Sequence, residues 1–279
     1  GKNMTISNAL VQFNPSQVNL KQFNAKTGKS DLAVTGVLDN FYGFMFRKQE
    51  LKGNFNLSSN QLAVSDFMTA STAPAAAGTT EIKSTAKTAK SEPLKIPAFL
   101  NCTLTAKANT VLYDNLTLKA VSGKMTIKDE KVSLTDVKTS IFGGTIGANG
   151  SVSTKGKTPV FDMNLNLNQV DIQQSFTQLY MLKKIAPLAG VVNGKINTTI
   201  KLNGNLDAKE MTPDLKTITG DLIGQLLSTT INSNNSTVLK ALTSNVKFVD
   251  LNKINLNEIK AYLTFKDGKV NVKPFDIKY

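Results

Sequence analysis

Along most of this chain apolar and polar residues alternate one for one. Leu100, Cys102, Leu104 and Ala106 share one parity, Leu165 and Leu167 stand between Asn164, Asn166 and Asn168, and Ile196, Ile200 and Leu202 continue the pattern. A period of two sends successive side chains to opposite faces of an extended backbone, so the alternation predicts half-buried strands. It lapses between Met68 and Glu92, a stretch of Thr, Ala, Ser, Lys and Gly without a single aromatic residue. Such a stretch has too little apolar surface to order itself, and a flexible linker is expected over residues 70–92. The expected organisation is therefore an N-terminal β segment (1–69), the linker, and a second β segment (93–279) that packs with the first as one continuous module.

An internal repeat sharpens this picture. Gly53–Phe67, Gly123–Val137 and Ala261–Phe275 align without gaps. Each reads as a hairpin if its two central residues form the turn: Ser59-Asn60, Asp129-Glu130 and Asp267-Gly268. Asp-Gly is a strong signal for a two-residue turn. In that register Phe55, Leu57, Leu62 and Val64 share one face, as do Met125, Ile127, Val132 and Leu134, and then Leu263, Phe265, Val270 and Val272. All twelve are apolar, whereas the opposite positions are Asn, Ser, Thr, Lys and Gln with Tyr262 the main exception. Leaving twelve such side chains in water forgoes roughly 20–30 kcal/mol at about 2 kcal/mol each, more than the margin by which a domain is stable. Something must cover that face.

Helices are scarce covers. Asp171 is placed to cap a segment carrying Ile172, Phe176, Leu179, Leu182 and Ala186 at helical spacing, with Pro187 and Gly190 as stops. A shorter helix is expected to begin near Ser236, with Leu239, Leu242 and Val246 on one side. The fold class expected is mainly β: a long, twisted, curled antiparallel sheet of repeated hairpins with an apolar concave face, plus about two short helices. Such a sheet must curl on itself, pack on another sheet, or receive an apolar ligand.

Composition removes most chemistry. The 279 residues include no His and no Trp, and one Cys. Without His the commonest general base and metal ligand is missing, so no enzyme, no metal and no cofactor is expected. The formal charge is +13, from 33 basic and 20 acidic residues, but Arg47 is the only arginine. Base reading leans on bidentate, stacking arginines, so no nucleic-acid partner is expected. No apolar run approaches the ~20 residues that cross a bilayer.

Candidate motifs fail on inspection. Gly28-Lys29-Ser30 and Gly156-Lys157-Thr158 resemble the end of a phosphate-binding loop, but the glycine such a loop needs five positions earlier is Phe23 in one and Ser151 in the other. The glycines around Phe142-Gly143-Gly144 lack dinucleotide-binding spacing and are expected to permit a bulge or a close sheet crossing. Cys102 falls on the apolar parity of its strand and reads as a buried structural thiol.

Several of these stretches together resemble a known family. Leu51–Ser58, the linker ending in Leu94–Pro97, the hairpin at 123–137, Phe142-Gly143-Gly144, Ala186-Pro187, Gly194–Leu206, Met211–Leu215 and Thr219-Gly220 are similar to the C-terminal region of AsmA-family proteins, especially the Asn/Lys-rich versions from Gram-negative bacteria of low GC content. The resemblance implies a periplasmic protein, anchored in the inner membrane by an N-terminal helix that is missing here. Its curled β-sheet would carry phospholipid or another acyl lipid toward the outer membrane, with an outer-membrane or envelope protein as a further partner. Translocation-and-assembly-module proteins and bridge-like lipid transfer proteins share related architectures. The chain is accordingly expected to be a fragment of a larger protein. The function expected is binding of acyl chains along the twelve apolar positions named above, in phospholipid transport between the membranes and outer-membrane biogenesis. The alternative is a non-transporting structural β-sandwich or envelope scaffold whose sheets cover each other.

Overall fold

In the computed structural model, residues 3–14, 16–67, 93–179, 192–231 and 259–274 are described. Thirteen strands form one sheet, and their spatial order is their order along the chain. They are β1 (Met4–Phe13), β2 (Gln17–Thr27), β3 (Ser30–Asp39), β4 (Leu51–Ala63), β5 (Leu100–Tyr113), β6 (Leu116–Lys128) and β7 (Lys131–Ile141), followed by β8 (Gly144–Ser153), β9 (Val160–Asp171), β10 (Val192–Asn205), β11 (Thr219–Ile231), β12 (Lys260–Lys266) and β13 (Lys269–Val272). Two short helices interrupt them, α1 (Phe41–Arg47) after β3 and α2 (Ile172–Gln178) after β9. The mainly β, largely antiparallel sheet with two short helices is thus the observed fold class, and the sheet is open rather than closed into a barrel. A sandwich of two sheets does not form among the described residues.

Every neighbouring pair is antiparallel except β4 and β5, which run parallel in register from Leu51 opposite Leu100 to Ala63 opposite Leu112. Parallel neighbours require a crossover of a dozen or more residues. The chain between these two strands includes the expected linker at 70–92, which lies outside the described residues. Between several of the other strands tight turns hold the register. Asp129 and Glu130 (φ 52° and 57°), Phe142 and Gly143 (52° and 65°) and Asp267 and Gly268 (51° and 69°) each place two consecutive residues at positive φ, the backbone of the two-residue turn whose twist matches that of the flanking strands. The second and third repeats are the expected hairpins: Met125 faces Leu134 and Ile127 faces Val132, and Leu263 faces Val272 and Phe265 faces Val270.

The first repeat is not a hairpin, and that expectation is corrected. β4 runs straight through Ser59-Asn60, so Phe55 and Leu57 face Gly36 and Val34 on β3 and Leu104 and Ala106 on β5 instead of Val64 and Leu62. Neither Ser59 nor Asn60 takes the positive φ that such a turn needs. The Asp31 carboxylate instead accepts the backbone N–H groups of Asn60 at 3.0 Å and Gln61 at 2.7 Å, which keeps the chain extended where β3 begins. Val64 opens a 3-10 turn (Val64–Asp66). From that turn the Asp66 carboxylate accepts Lys29 N–H and the Ser30 hydroxyl, both at 2.7 Å, tying the end of β4 to the β2–β3 turn. Phe142-Gly143 likewise forms a turn and not a bulge. At Gly144 a Cβ would overlap the carbonyl oxygens of Asn168 and Gln169, so the close strand approach expected there is present.

The bulges lie elsewhere. Asp136 on β7 and Gln169 on β9 take positive φ (52° and 53°). Each donates its backbone N–H at 2.8 Å to an asparagine Oδ1 on the next strand, Asn149 and Asn197 respectively. An extra residue at each point lets Leu134 and Val137, and Leu167 and Val170, stay on one face although each pair is three positions apart. α2 begins as expected, with Gln174 N–H donating to the Asp171 side chain at 2.7 Å, and ends at Gln178. The rest of that expected helix beyond Leu179, and the one expected near Ser236, lie outside the described residues.

Candidate functional site

Side chains directly opposite one another in adjacent strands point to the same face, so the pairing register can be followed across the whole sheet. One transverse row crosses all thirteen strands: Val11, Leu20, Gly36, Phe55, Leu104, Met125, Leu134, Gly150, Met163, Leu202, Gly220, Phe265 and Val270. Every member is apolar or glycine. The row on one side, Phe13, Val18, Leu38, Gly53, Cys102, Ile127, Val132, Val152, Phe161 and Gly204, obeys the same rule across ten strands. On the other side, Val137, Ala148, Leu165, Ile200, Leu222, Leu263 and Val272 extend it from β7 to β13. The face behind is polar: Thr103, Thr126, Ser133, Ser151, Asp162, Asn203 and Thr219 form one of its rows.

The sheet brings together most of the twelve positions singled out in the sequence. Phe55, Met125, Leu134, Phe265 and Val270 share the central row, Ile127 and Val132 lie in the row beside it, and Leu263 and Val272 in the row on its other side. Leu57 stands opposite Val34 and Ala106. Leu62 stands opposite Val111, whose partner Leu118 packs toward the α2 end. Val64 lies past the end of β4, in the 3-10 turn. Leu104, Met163 and Leu202 lie between these groups. Their alternation was visible, but the strand order that aligns them was not.

Two clusters wall the face, one between β6 and β10 and the other between β8 and β12. At one strand end Ile141, Phe142 and Val170 are buried, with Leu179 at the end of α2 packed on them beside Ile146, Leu167 and Ile196. At the other end the β10–β11 connection folds over, so that Leu206 and Ile218 bury Phe161, with Met211, Val152, Leu202 and Phe265 packed around them. Between the walls the central row is open on β7 and β9. Leu134 and Met163, in the interior of the sheet, keep 41% and 39% of their surface exposed. A covering layer would remove this remainder from water, worth about 1 kcal/mol per side chain. The result is an apolar trough running across the strands.

The three apolar rows carry one titratable side chain, that of Cys102. Cys102, in the row beside the centre, is half-buried and donates its thiol to Leu51 O at 3.6 Å, and burial pushes its pKa up, away from the reactive thiolate. Among the described residues no cluster of His, Cys, Asp and Glu could hold a metal ion. Among the described residues two carboxyls have a depressed pKa, and both serve the backbone. Burial pushes Asp31 up, but the N–H groups of Asn60 and Gln61 outweigh it, and Asp207 is held down by the N–H groups of Glu210 and Lys209. What this arrangement offers a ligand is continuous apolar surface, without directional contacts.

A family model for the AsmA family matches residues 4–208. That span covers β1 to β10 and more than half of the chain, and the protein belongs to the AsmA family. The family is linked in general to envelope assembly and lipid transport. No curated protein and no solved structure matches the chain. No helix among the described residues is long and apolar enough to cross a membrane.

Proposed function

We propose that the apolar trough holds the acyl chains of phospholipid, and that the protein contributes in this way to phospholipid transport between the inner and outer membranes and to outer-membrane biogenesis. The setting of this reading is the periplasm, with the full-length protein anchored to the inner membrane and an envelope protein as a partner. The observation that carries it is the central row, apolar or glycine on all thirteen strands and open at Leu134 and Met163. Each methylene of a chain laid along such a row gains about 0.8 kcal/mol on leaving water. Because the row repeats the same chemistry strand after strand, a chain has many equivalent positions and can slide among them. The polar lipid headgroup would stay in water outside the trough. No bond is made or broken, consistent with a non-enzymatic role.

The test is a double variant, Leu134→Lys with Met163→Lys, at two positions exposed enough to let a lysine reach solvent. Lipid co-purifying with the protein should fall at least tenfold, while the circular dichroism spectrum and melting temperature stay close to those of the parent. Unchanged lipid content in the folded variant would remove the trough as the binding surface and favour a scaffold role.

A further inference from the structure

The helix α1 is turned inside out. At 100° per residue, Phe41, Met45, Tyr42 and Phe46 occupy one arc of about 140°. In a surface helix of a globular protein that arc faces the core. Here it faces water: all four are exposed, Phe46 by 71%. The residues on the far side, Gly43 and Phe44, make the contacts with the protein, Gly43 buried and Phe44 against Phe99 at 5.2 Å between ring centroids. Phe13, at the end of β1 and at the same edge of the sheet, is 80% exposed. The apolar arc is bordered by cations, since Arg47 lies 5.9 Å over the Tyr42 ring and Lys48 ends the helix. The carboxylates that flank the helix in sequence are engaged elsewhere, Asp39 accepting from Gln17 Nε2 at 2.7 Å and Glu50 from Asn101 Nδ2 at 3.0 Å.

We infer that α1 and Phe13 dock the sheet on an anionic phospholipid bilayer. An arc of four large apolar side chains on a single protruding helix is hard to cover with a flat protein surface, but it fits the boundary between headgroups and acyl chains. Aromatic and long apolar side chains flanked by Arg and Lys are what that boundary accepts. Charge complementarity points the same way, because Arg47, Lys48 and the chain's net charge of +13 suit an anionic surface. Phe13 begins the transverse row that runs through Val18, Leu38 and Gly53 into the trough. Docking here therefore sets the bilayer against the β1 to β4 end of the apolar face. The inference gives the acyl-chain reading a place of lipid exchange and rests on it for that purpose only, because membrane docking and chain retention are separate measurements.

The chain has no Trp, so Phe46→Trp is a silent-background reporter. With vesicles of phosphatidylcholine and phosphatidylglycerol (3:1), its emission should shift to the blue by about 10 nm or more, as an indole does on entering an apolar phase. Tyr113→Trp at the opposite edge, on a residue 49% exposed, should not shift. A Tyr42→Ser, Met45→Ser, Phe46→Ser variant should lose at least tenfold in vesicle co-sedimentation while retaining co-purified lipid. The Leu134→Lys, Met163→Lys protein should still co-sediment. An unshifted Phe46→Trp spectrum, equal shifts at both positions, or undiminished sedimentation of the triple variant would overturn docking through α1. So would a vesicle-independent dimer that the triple variant abolishes, which would assign the arc to a second copy of the chain.

Discussion

Phe55 on β4 and Phe265 on β12 stand in the same transverse row of the sheet, eight strands apart. Nothing local connects them. The relation is maintained by the pairing of each strand on the next, across connections of very different length: two-residue turns at Asp129-Glu130 and Phe142-Gly143 pin the register locally, and the bulges at Asp136 and Gln169 absorb extra residues without turning apolar side chains to the wrong face. A one-residue slip would put a polar side chain into the row at most strands, Asn54 or Asn56 in place of Phe55 and Lys201 or Asn203 in place of Leu202.

The Phe55 ring lies across two glycines. A Cβ at Gly36 would overlap Phe55 Cδ1, and one at Gly53 would come within 2.6 Å of Phe55 Cε2. Gly36→Val should therefore displace the ring and lower the unfolding free energy by about 1–3 kcal/mol, read as a reduced urea midpoint. An unchanged midpoint would show that the ring does not depend on these glycines.

Asp31 makes stability depend on pH in a defined direction. Its folded pKa lies below the ordinary 3.8 because Asn60 and Gln61 N–H groups favour the carboxylate. Its contribution is thus complete above that value and is lost as pH falls from there through the depressed folded value. Asp31→Ala should cost about 1 kcal/mol at pH 7, discounted for solvent exposure, and should flatten the acid limb of stability against pH. A variant whose acid limb overlays the parent's would show that another carboxyl controls it.

Cys102 reports on the trough from within. Its raised pKa and half-buried position predict maleimide labelling at pH 7.5 about tenfold slower than for an exposed thiol. Labelling should speed up when bound lipid is stripped with organic solvent and the protein refolded. A rate indifferent to lipid would place the chains away from Cys102.

Much of this was legible in the alternation. The hairpins at Asp129-Glu130 and Asp267-Gly268, the two-faced sheet and the Asp171 cap follow from period-two patterning, turn-forming residues and a capping side chain. Ser59-Asn60 resembles a turn in sequence because a strand that runs on shows the same alternation as two strands joined by a turn. What distinguishes them is Asp31, twenty-eight and more positions earlier, whose carboxylate occupies the N–H groups of Asn60 and Gln61. α1 escaped because Phe41–Arg47 has no polar stripe to mark a helix against a core. Strand order is a property of long-range pairing that alternation does not encode, so the continuity of the central row emerged only from the fold.

The central claim is tested most directly by mass spectrometry of organic extracts from protein purified without detergent, beside a control protein of equal charge. The trough predicts phospholipid at roughly stoichiometric amounts in the extract and only traces in the control. A stably folded, lipid-free monomer would contradict acyl-chain binding and leave the sheet as a scaffold.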